Sequence, residues 1–87
     1  MYKYNAALSN NQCVFDSRDD FASISDVLVW SKGRGGKYVI QIDSPSAATC
    51  GISIAYDDDA NTYSHYDGWE WISVSHDKVE SYIKEWL

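Results

Sequence analysis

Apolar and polar residues alternate over residues 37–43, where Tyr38 and two isoleucines fall on one side of an extended chain. A period of two residues is typical of a β-strand with one buried face. The same reasoning predicts strands at 2–8, 13–15, 49–56 and 69–74, with a further, weaker strand at 63–66. Turn-forming residues separate these segments, among them Asn11, which tolerates a positive φ.

Two other segments space their apolar residues like one face of an α-helix. The first helix is predicted to start at Ser17, which caps it, with Asp20 in the first turn, and to end near Ser31. Its apolar face consists of Phe21, Ile24, Val27 and Leu28. The second helix is predicted to follow Asp77, with Glu80 in its first turn. Its apolar face consists of Val79, Tyr82, Ile83 and Trp86.

These elements predict an α+β fold in a single small domain over residues 1–87. Neither helix can bury its apolar face alone, so both are expected on one face of a mainly antiparallel sheet of four to five strands. The predicted element order is β-β-α-β-β-(β)-β-α. Residues 17–87 resemble the α-β-β-β-α order of double-stranded-RNA-binding domains, whose second helix opens with phosphate-binding lysines. Asp77 and Glu80 occupy that stretch here, so RNA binding is not expected.

Negative charge is concentrated in one part of the chain. The protein has 13 acidic residues against 7 Lys and Arg, which gives a formal net charge of −6. Residues 38–77 contain no Lys or Arg. Their acids are Asp43, Asp57, Asp58, Asp59, Asp67, Glu70 and Asp77. A field of one sign repels nucleic acid and attracts basic protein surfaces. We therefore expect these carboxylates to form one outward-facing patch, with no direct binding of nucleic acid.

The length, apolar content and cysteines of the chain limit the class of protein and its cellular compartment. A chain of 87 residues with 45% hydrophobic residues can form one modest core. No segment has the apolar run of a signal peptide or the roughly 20 apolar residues of a membrane span. We therefore expect a cytoplasmic protein (in the host cytoplasm if phage-encoded) without a membrane partner. Cys13 and Cys50 are expected to be reduced core residues, and the absence of a Cys/His cluster predicts no metal and no cofactor.

Three consecutive carboxylates, Asp57, Asp58 and Asp59, stand between two predicted strands. Together with Asn61 they match the opening positions of an EF-hand loop, but the required glycine and the bidentate Glu are missing. A calcium site is therefore not expected. Two interpretations remain: a solvated β-turn, or a compact anionic pole that binds a cluster of Arg and Lys in a partner.

Residues 63–71 combine aromatic and acidic side chains at high density. Five of these nine residues are Tyr, His or Trp, and Asp67 and Glu70 lie between them. Trp69 and Trp71 alternate with Glu70 and therefore share one face of a strand. Two interpretations stay open. Either the tryptophans are exposed and form a protein-binding hot spot, or they pack under the C-terminal helix.

No catalytic motif accompanies these features. His65 and His76 lack a nucleophile or a metal ligand at a motif spacing, so an enzyme is not expected. Lys32, Arg34 and Lys37 surround a glycine-rich turn without a phosphate-binding pattern, and are expected to be solvated.

In size and charge the chain is similar to two functional classes. One is phage-encoded inhibitors of host defence, including anti-CRISPR and anti-restriction proteins; the other is immunity proteins that neutralise nuclease toxins. Both imply carboxylates that mimic nucleic acid in a basic groove. The first hypothesis is a stoichiometric inhibitor of a nucleic-acid-binding protein, active as a monomer or homodimer. The alternatives are an immunity protein and a homodimeric assembly subunit. The predicted partner-binding residues are Asp57, Asp58, Asp59, Tyr63, Tyr66, Asp67, Trp69 and Glu70.

Overall fold

The computed structural model describes residues 4–11, 13–44 and 51–86, which form six strands and two helices. The strands are β1 (Tyr4–Asn10), β2 (Cys13–Phe21), β3 (Lys37–Asp43), β4 (Ile52–Asp57), β5 (Thr62–Tyr66) and β6 (Trp71–Val74). The helices are α1 (Ile24–Ser31) and α2 (Val79–Trp86). All strand pairs are antiparallel, in the order β2-β1-β3-β4-β5-β6. The α+β class is confirmed, but the sheet has six strands instead of four to five.

One face of this sheet carries the core. Ile40 of β3 pairs with Leu8 on one side and with Ile54 on the other, and all three side chains are completely buried. Val27 of α1 and Ile83 of α2 are also completely buried and join the same apolar cluster. Because the two helices contact each other and share this cluster, they cover the same face of the sheet.

The other face of the sheet is open and mostly polar. Val39 and Gln41 of β3 lie there, and the hydroxyl of Ser53 on β4 donates a hydrogen bond to the Gln41 side chain. Trp71 and Ser73 of β6 belong to the same face. A sheet with one solvated face produces strict alternation in sequence, which is why the pattern predicts the bounds of β3 correctly.

The first helix starts later than the sequence pattern predicts, because residues 17–21 extend β2. The helix is capped by Ser23, whose Oγ accepts the Asp26 N–H at 3.1 Å. Ser17 and Ser23 are both followed three residues later by an aspartate, so local capping chemistry does not distinguish them. Pairing of β2 with β1 takes the first serine into the sheet, and Phe21 is buried from a strand instead of a helix.

The second helix follows its predicted pattern more closely. Val79 and Ile83 are buried, as the helical spacing predicts. The backbone carbonyl of Lys78 accepts the Tyr82 N–H at 2.9 Å, so Lys78 and not Asp77 occupies the capping position. Four strands, β3 to β6, separate the two helices, which is one more than in the RNA-binding order considered above.

Two further expectations concern the cysteines and membranes. Cys13 is exposed at the start of β2, so its predicted place in the core is wrong. Cys50 lies outside the described residues, as do the first residues of the strand predicted at 49–56, and β4 is described from Ile52.

In the described part of the chain, neither helix has the length and apolar character needed to cross a bilayer.

Candidate protein-binding site

The turn between β5 and β6 is held in one conformation by the side chain of Asp67. Its Oδ1 accepts the backbone N–H of Trp69 at 2.8 Å and that of Glu70 at 2.9 Å. The Asp67 N–H in turn donates to the Glu70 carbonyl at 3.2 Å, and Gly68 supplies a φ of 104° that a side chain would strain. The N–H groups of Glu70 and Trp69 lower the pKa of Asp67 below its ordinary value. Asp67 is therefore charged at neutral pH and keeps the turn rigid.

This turn and the strands beside it present three aromatic side chains to solvent, Tyr66, Trp69 and Trp71, which we call the Trp patch. Their exposed fractions are 49%, 91% and 64%. Tyr66 and Trp71 pair across β5 and β6, and their ring centroids lie 5.5 Å apart. Single exposed apolar residues are common on protein surfaces, whereas aromatic residues grouped on one rigid turn are typical of interaction sites. Of the two interpretations of the tryptophans, exposure is the one that the structure has.

Negative charge surrounds the Trp patch. Glu70 is exposed within the turn, next to Asp67. Residues 62–77 contain no Lys or Arg, so the side chains nearest in sequence supply no internal counter-charge. A basic surface can therefore approach this turn with favourable electrostatics.

The three consecutive carboxylates form a different kind of structure, because the turn between β4 and β5 docks onto the glycine-rich loop 33–36. Asp58 Oδ1 accepts the N–H of Gly33 and Oδ2 accepts that of Gly35, each at 2.9 Å. The Asp58 N–H donates to the Gly36 carbonyl at 2.9 Å. The Gly33 and Gly35 N–H groups lower the pKa of Asp58 below its ordinary value. Asp58 therefore serves as an internal clamp, and the expectation of a free anionic pole is corrected at this residue.

The carboxylates of Asp57 and Asp59, on either side of Asp58, differ in how accessible they are to a partner molecule. Asp57 Oδ1 accepts the N–H of Ala60 at 3.2 Å, which stabilises the turn locally. Asp59 is exposed, and its Oδ1 accepts the Gly36 N–H at the longer distance of 3.4 Å. Asp59 is therefore the member of the three that is best placed to meet another molecule.

The carboxylates are not gathered into the one patch that the sequence predicts. Asp57 pairs with Thr62 at one end of β5, whereas Tyr66 pairs with Trp71 at the other end. At about 3.4 Å per residue, the four steps from Thr62 to Tyr66 separate the two ends of β5 by about 14 Å. The acidic turn and the Trp patch are therefore two separate surfaces, and only the second combines charge with exposed aromatic residues.

Tyr63, which the sequence predicts as an anchor for a partner, lies in the core. It is 2% exposed, and its ring stacks on Tyr56 with centroids 4.6 Å apart. Burial raises the pKa of Tyr63 to about 12. Its hydroxyl has no hydrogen-bond partner among the described residues. Tyr63 is thus a structural residue and belongs to the opposite face of β5 from Tyr66.

The histidines and the basic cluster have structural contacts. His65 is buried, and its Nδ1 lies 2.6 Å from the Tyr82 hydroxyl of α2. His76 Nε2 lies 2.9 Å from Lys32 Nζ. Arg34 forms an ion pair with the Asp16 carboxylate of β2 at 2.6 Å. The sequence predicts a solvated side chain here, so that prediction is wrong for Arg34. In the described ranges, no group of three His, Cys, Asp or Glu side chains is arranged to hold a metal ion.

An open groove of about 390 Å³ lies on the polar face of the sheet. It is lined by residues of four strands and their turns, including Ser9, Lys37, Val39, Thr62 and Ser64. The groove includes none of the residues of the Trp patch. Among the described residues its lining has no histidine or cysteine, and its polar side chains are mainly Ser, Thr, Asn, Lys and Asp.

Sequence reasoning identified most of the Trp patch but omitted Trp71 from the contact residues. The strand predicted at 69–74 starts only at Trp71, because residues 67–70 form the turn, so the two-residue period does not relate Trp69 to Trp71. The pairing of Trp71 with Tyr66 is what places it in the Trp patch. Comparison with known proteins adds no assignment: no family model, no curated protein and no solved structure matches this chain.

Proposed function

We propose that this protein is a non-enzymatic binding module that inhibits a nucleic-acid-binding protein by stoichiometric contact through the Trp patch. The observation that carries the proposal is the 91% exposure of Trp69 on a turn fixed by Asp67. An indole that is exposed in the free protein gains most when a partner covers it. A turn that is already rigid loses little conformational entropy on binding, which favours a specific complex.

The charge of the site indicates the kind of partner. Asp67 and Glu70 flank Trp69, and no Lys or Arg occurs between residues 38 and 77. Such a site attracts a basic surface and repels phosphates. Basic grooves on proteins are typical of nucleic-acid binding, so a protein that occupies such a groove competes with the natural ligand. Glu70 is the exposed carboxylate of this turn that we assign to phosphate mimicry, with Trp69 as the apolar anchor.

Affinity capture with matched baits tests this function. Wild-type protein, Trp69→Ala and Val29→Ala are each used as bait in lysate of the native host cell and of its target cell. Val29 is 73% exposed on α1, so Val29→Ala is the control that removes an exposed apolar side chain outside the Trp patch. We expect one basic protein to be retained by wild type and by Val29→Ala, with at least about tenfold less on Trp69→Ala. An equimolar amount of the wild-type protein should then abolish the nucleic-acid binding of that captured protein.

Equal capture on Trp69→Ala and Val29→Ala contradicts the assignment of the site. A captured protein whose nucleic-acid binding is unchanged by the module contradicts inhibition, although binding through the Trp patch would stand. The identity of the target separates the two classes considered from sequence: a CRISPR or restriction component favours a phage inhibitor, and a nuclease toxin favours an immunity protein.

A further inference from the structure

The two edges of the sheet differ in how well they resist pairing with another strand. β2, at one edge, contains Asp16, Arg18, Asp19 and Asp20, and its register with β1 shifts at two points. Charged residues and bulges of this kind are the usual protection of an edge strand. β2 is therefore a poor template for a further strand.

β6, at the opposite edge, lacks this protection. Its sequence is Trp71-Ile72-Ser73-Val74, with no charge and no proline, and its four pairs with β5 are in continuous register. Trp, Ile and Val favour extended structure. In the described part of the chain β6 pairs only with β5, so the backbone groups on its outer side have no strand partner there. β6 is thus a short edge strand without charges or bulges, and its first residue, Trp71, belongs to the Trp patch.

The side chains of β6 indicate how an added strand would be held. Trp71 contacts Tyr66 on one side and is 64% exposed. A residue of an added strand directly opposite Trp71 would pack against the indole, as cross-strand neighbours do. Backbone hydrogen bonds supply affinity in this mode of recognition, and alternate side chains supply specificity.

We propose that β6 is a strand-addition site for an extended, positively charged segment of the partner, with Lys or Arg alternating with β-branched residues. This inference rests on the proposed function and names the form of the ligand at the Trp patch. The charge around β6 argues for this occupant, since Asp67, Glu70 and Asp77 flank the strand in sequence. The nearest bases are fewer: Lys78 follows Asp77, and Lys32 Nζ lies 2.9 Å from His76 Nε2. A second copy of this chain, with net charge −6, is disfavoured by the same field.

Three short capped peptides test the site directly by NMR titration. The first alternates Lys and Val. The second has the same sequence with N-methyl groups on two adjacent central residues, which removes donors from both edges of the peptide and keeps its charge. The third has Glu in place of Lys. We expect the first peptide to shift and protect the amides of β6, and the other two to bind at least about tenfold more weakly.

Two protein variants connect this test with the native partner. Ser73→Lys places an edge-protecting lysine on β6, whereas Ser53→Lys places the same charge on the open face of the internal strand β4. In the capture assay we expect Ser73→Lys to lose the partner and Ser53→Lys to retain it.

Each contrary result has a distinct meaning. Equal binding of the plain and N-methylated peptides, or no binding of the plain peptide, overturns strand addition. Retention of the partner by Ser73→Lys together with its loss by Trp69→Ala overturns strand addition and leaves the proposed function intact. Retention of the partner by both Ser73→Lys and Trp69→Ala overturns strand addition and the proposed function together. Concentration-dependent self-association that protects the β6 amides assigns the edge to a second copy and also overturns the proposal.

Discussion

The carboxylate of Asp67 accepts the backbone N–H of Trp69 at 2.8 Å and so fixes, relative to the sheet, an aromatic residue that is 91% exposed. The same oxygen accepts the N–H of Glu70 at 2.9 Å. The residue that carries charge at the candidate site therefore also determines the shape of that site.

Asp67→Ala should loosen the turn between β5 and β6 without unfolding the protein. Removing the carboxylate leaves the N–H groups of Trp69 and Glu70 without their acceptor, so their amide hydrogens should exchange several-fold faster with solvent. Exchange measured by NMR checks this expectation. Glu70→Gln is the matched control, because it removes one negative charge from the turn and keeps the Asp67 acceptor. Unchanged exchange in Asp67→Ala would show that the turn is held by other contacts.

Asp58 should make the stability of the protein depend on pH. Its carboxylate accepts N–H groups of Gly33 and Gly35, which lower its pKa in the folded state. A lowered folded pKa contributes stability that is present above the unfolded pKa of about 3.9 and is lost as the pH falls through the folded pKa. Asp58→Asn should therefore melt several degrees below wild type near neutral pH, with a difference that shrinks below about pH 4.

The control for this prediction is Asp59→Asn, which changes the same charge in the same turn. Asp59 is exposed and accepts only the longer bond from Gly36, so its variant should melt close to wild type at all pH values. Thermal melts followed by circular dichroism between pH 2 and pH 7 provide the comparison. If the two variants behave alike, Asp58 is not the clamp that joins the turn to the glycine-rich loop.

Two stacked tyrosines should respond to the same substitution in opposite directions. The hydroxyl of Tyr63 is buried without a partner among the described residues, whereas that of Tyr56 donates to Asn61 Oδ1 at 3.0 Å. Tyr63→Phe removes a desolvated polar group and should raise the free energy of unfolding by about 1 kcal/mol. Tyr56→Phe removes a hydrogen bond and should lower it by about 1 kcal/mol. Urea denaturation measures both values.

Alkaline conditions give this prediction a second readout. Burial raises the pKa of Tyr63 to about 12 from an ordinary value of about 10. A raised folded pKa contributes stability that is present below the unfolded pKa and is lost as the pH rises through the folded pKa. Wild type should therefore lose stability between about pH 10 and pH 12, and Tyr63→Phe should lose less. An equal loss in both proteins would contradict this account of Tyr63.

The start of α1 is tested by a pair of serine substitutions. Ser23 Oγ accepts the Asp26 N–H at the helix N-terminus, and Ser17 lies within β2. Ser23→Ala should lower the free energy of unfolding by about 1 kcal/mol, the usual loss for an N-cap. Ser17→Ala should have little effect. The reverse order in chemical denaturation would place the helix start where the sequence pattern alone predicts it.

These serines also show why sequence reasoning succeeded in part. Helix-capping chemistry is local, so a serine followed three residues later by an aspartate predicts a cap equally well at both places. The choice depends on β1, which pairs with residues up to Phe21 and needs β2 to be long. That information comes from a different strand and is not contained in the local pattern. By contrast, β3 alternates strictly because one of its faces is solvated, and its bounds could be read directly.

For the candidate site too, some properties follow from the local sequence and others depend on tertiary structure. The sequence alone determined that the protein is acidic, that its net negative charge falls in residues 38–77, and that aromatic residues cluster near Trp69. Only the tertiary structure decided which of these side chains meet solvent. Strand pairing places the two acidic turns at opposite ends of β5 and buries Tyr63 in the core, and the Asp58 carboxylate binds the N–H groups of the glycine-rich loop. Composition and period are properties of neighbouring residues, whereas exposure depends on which distant segment packs on each face.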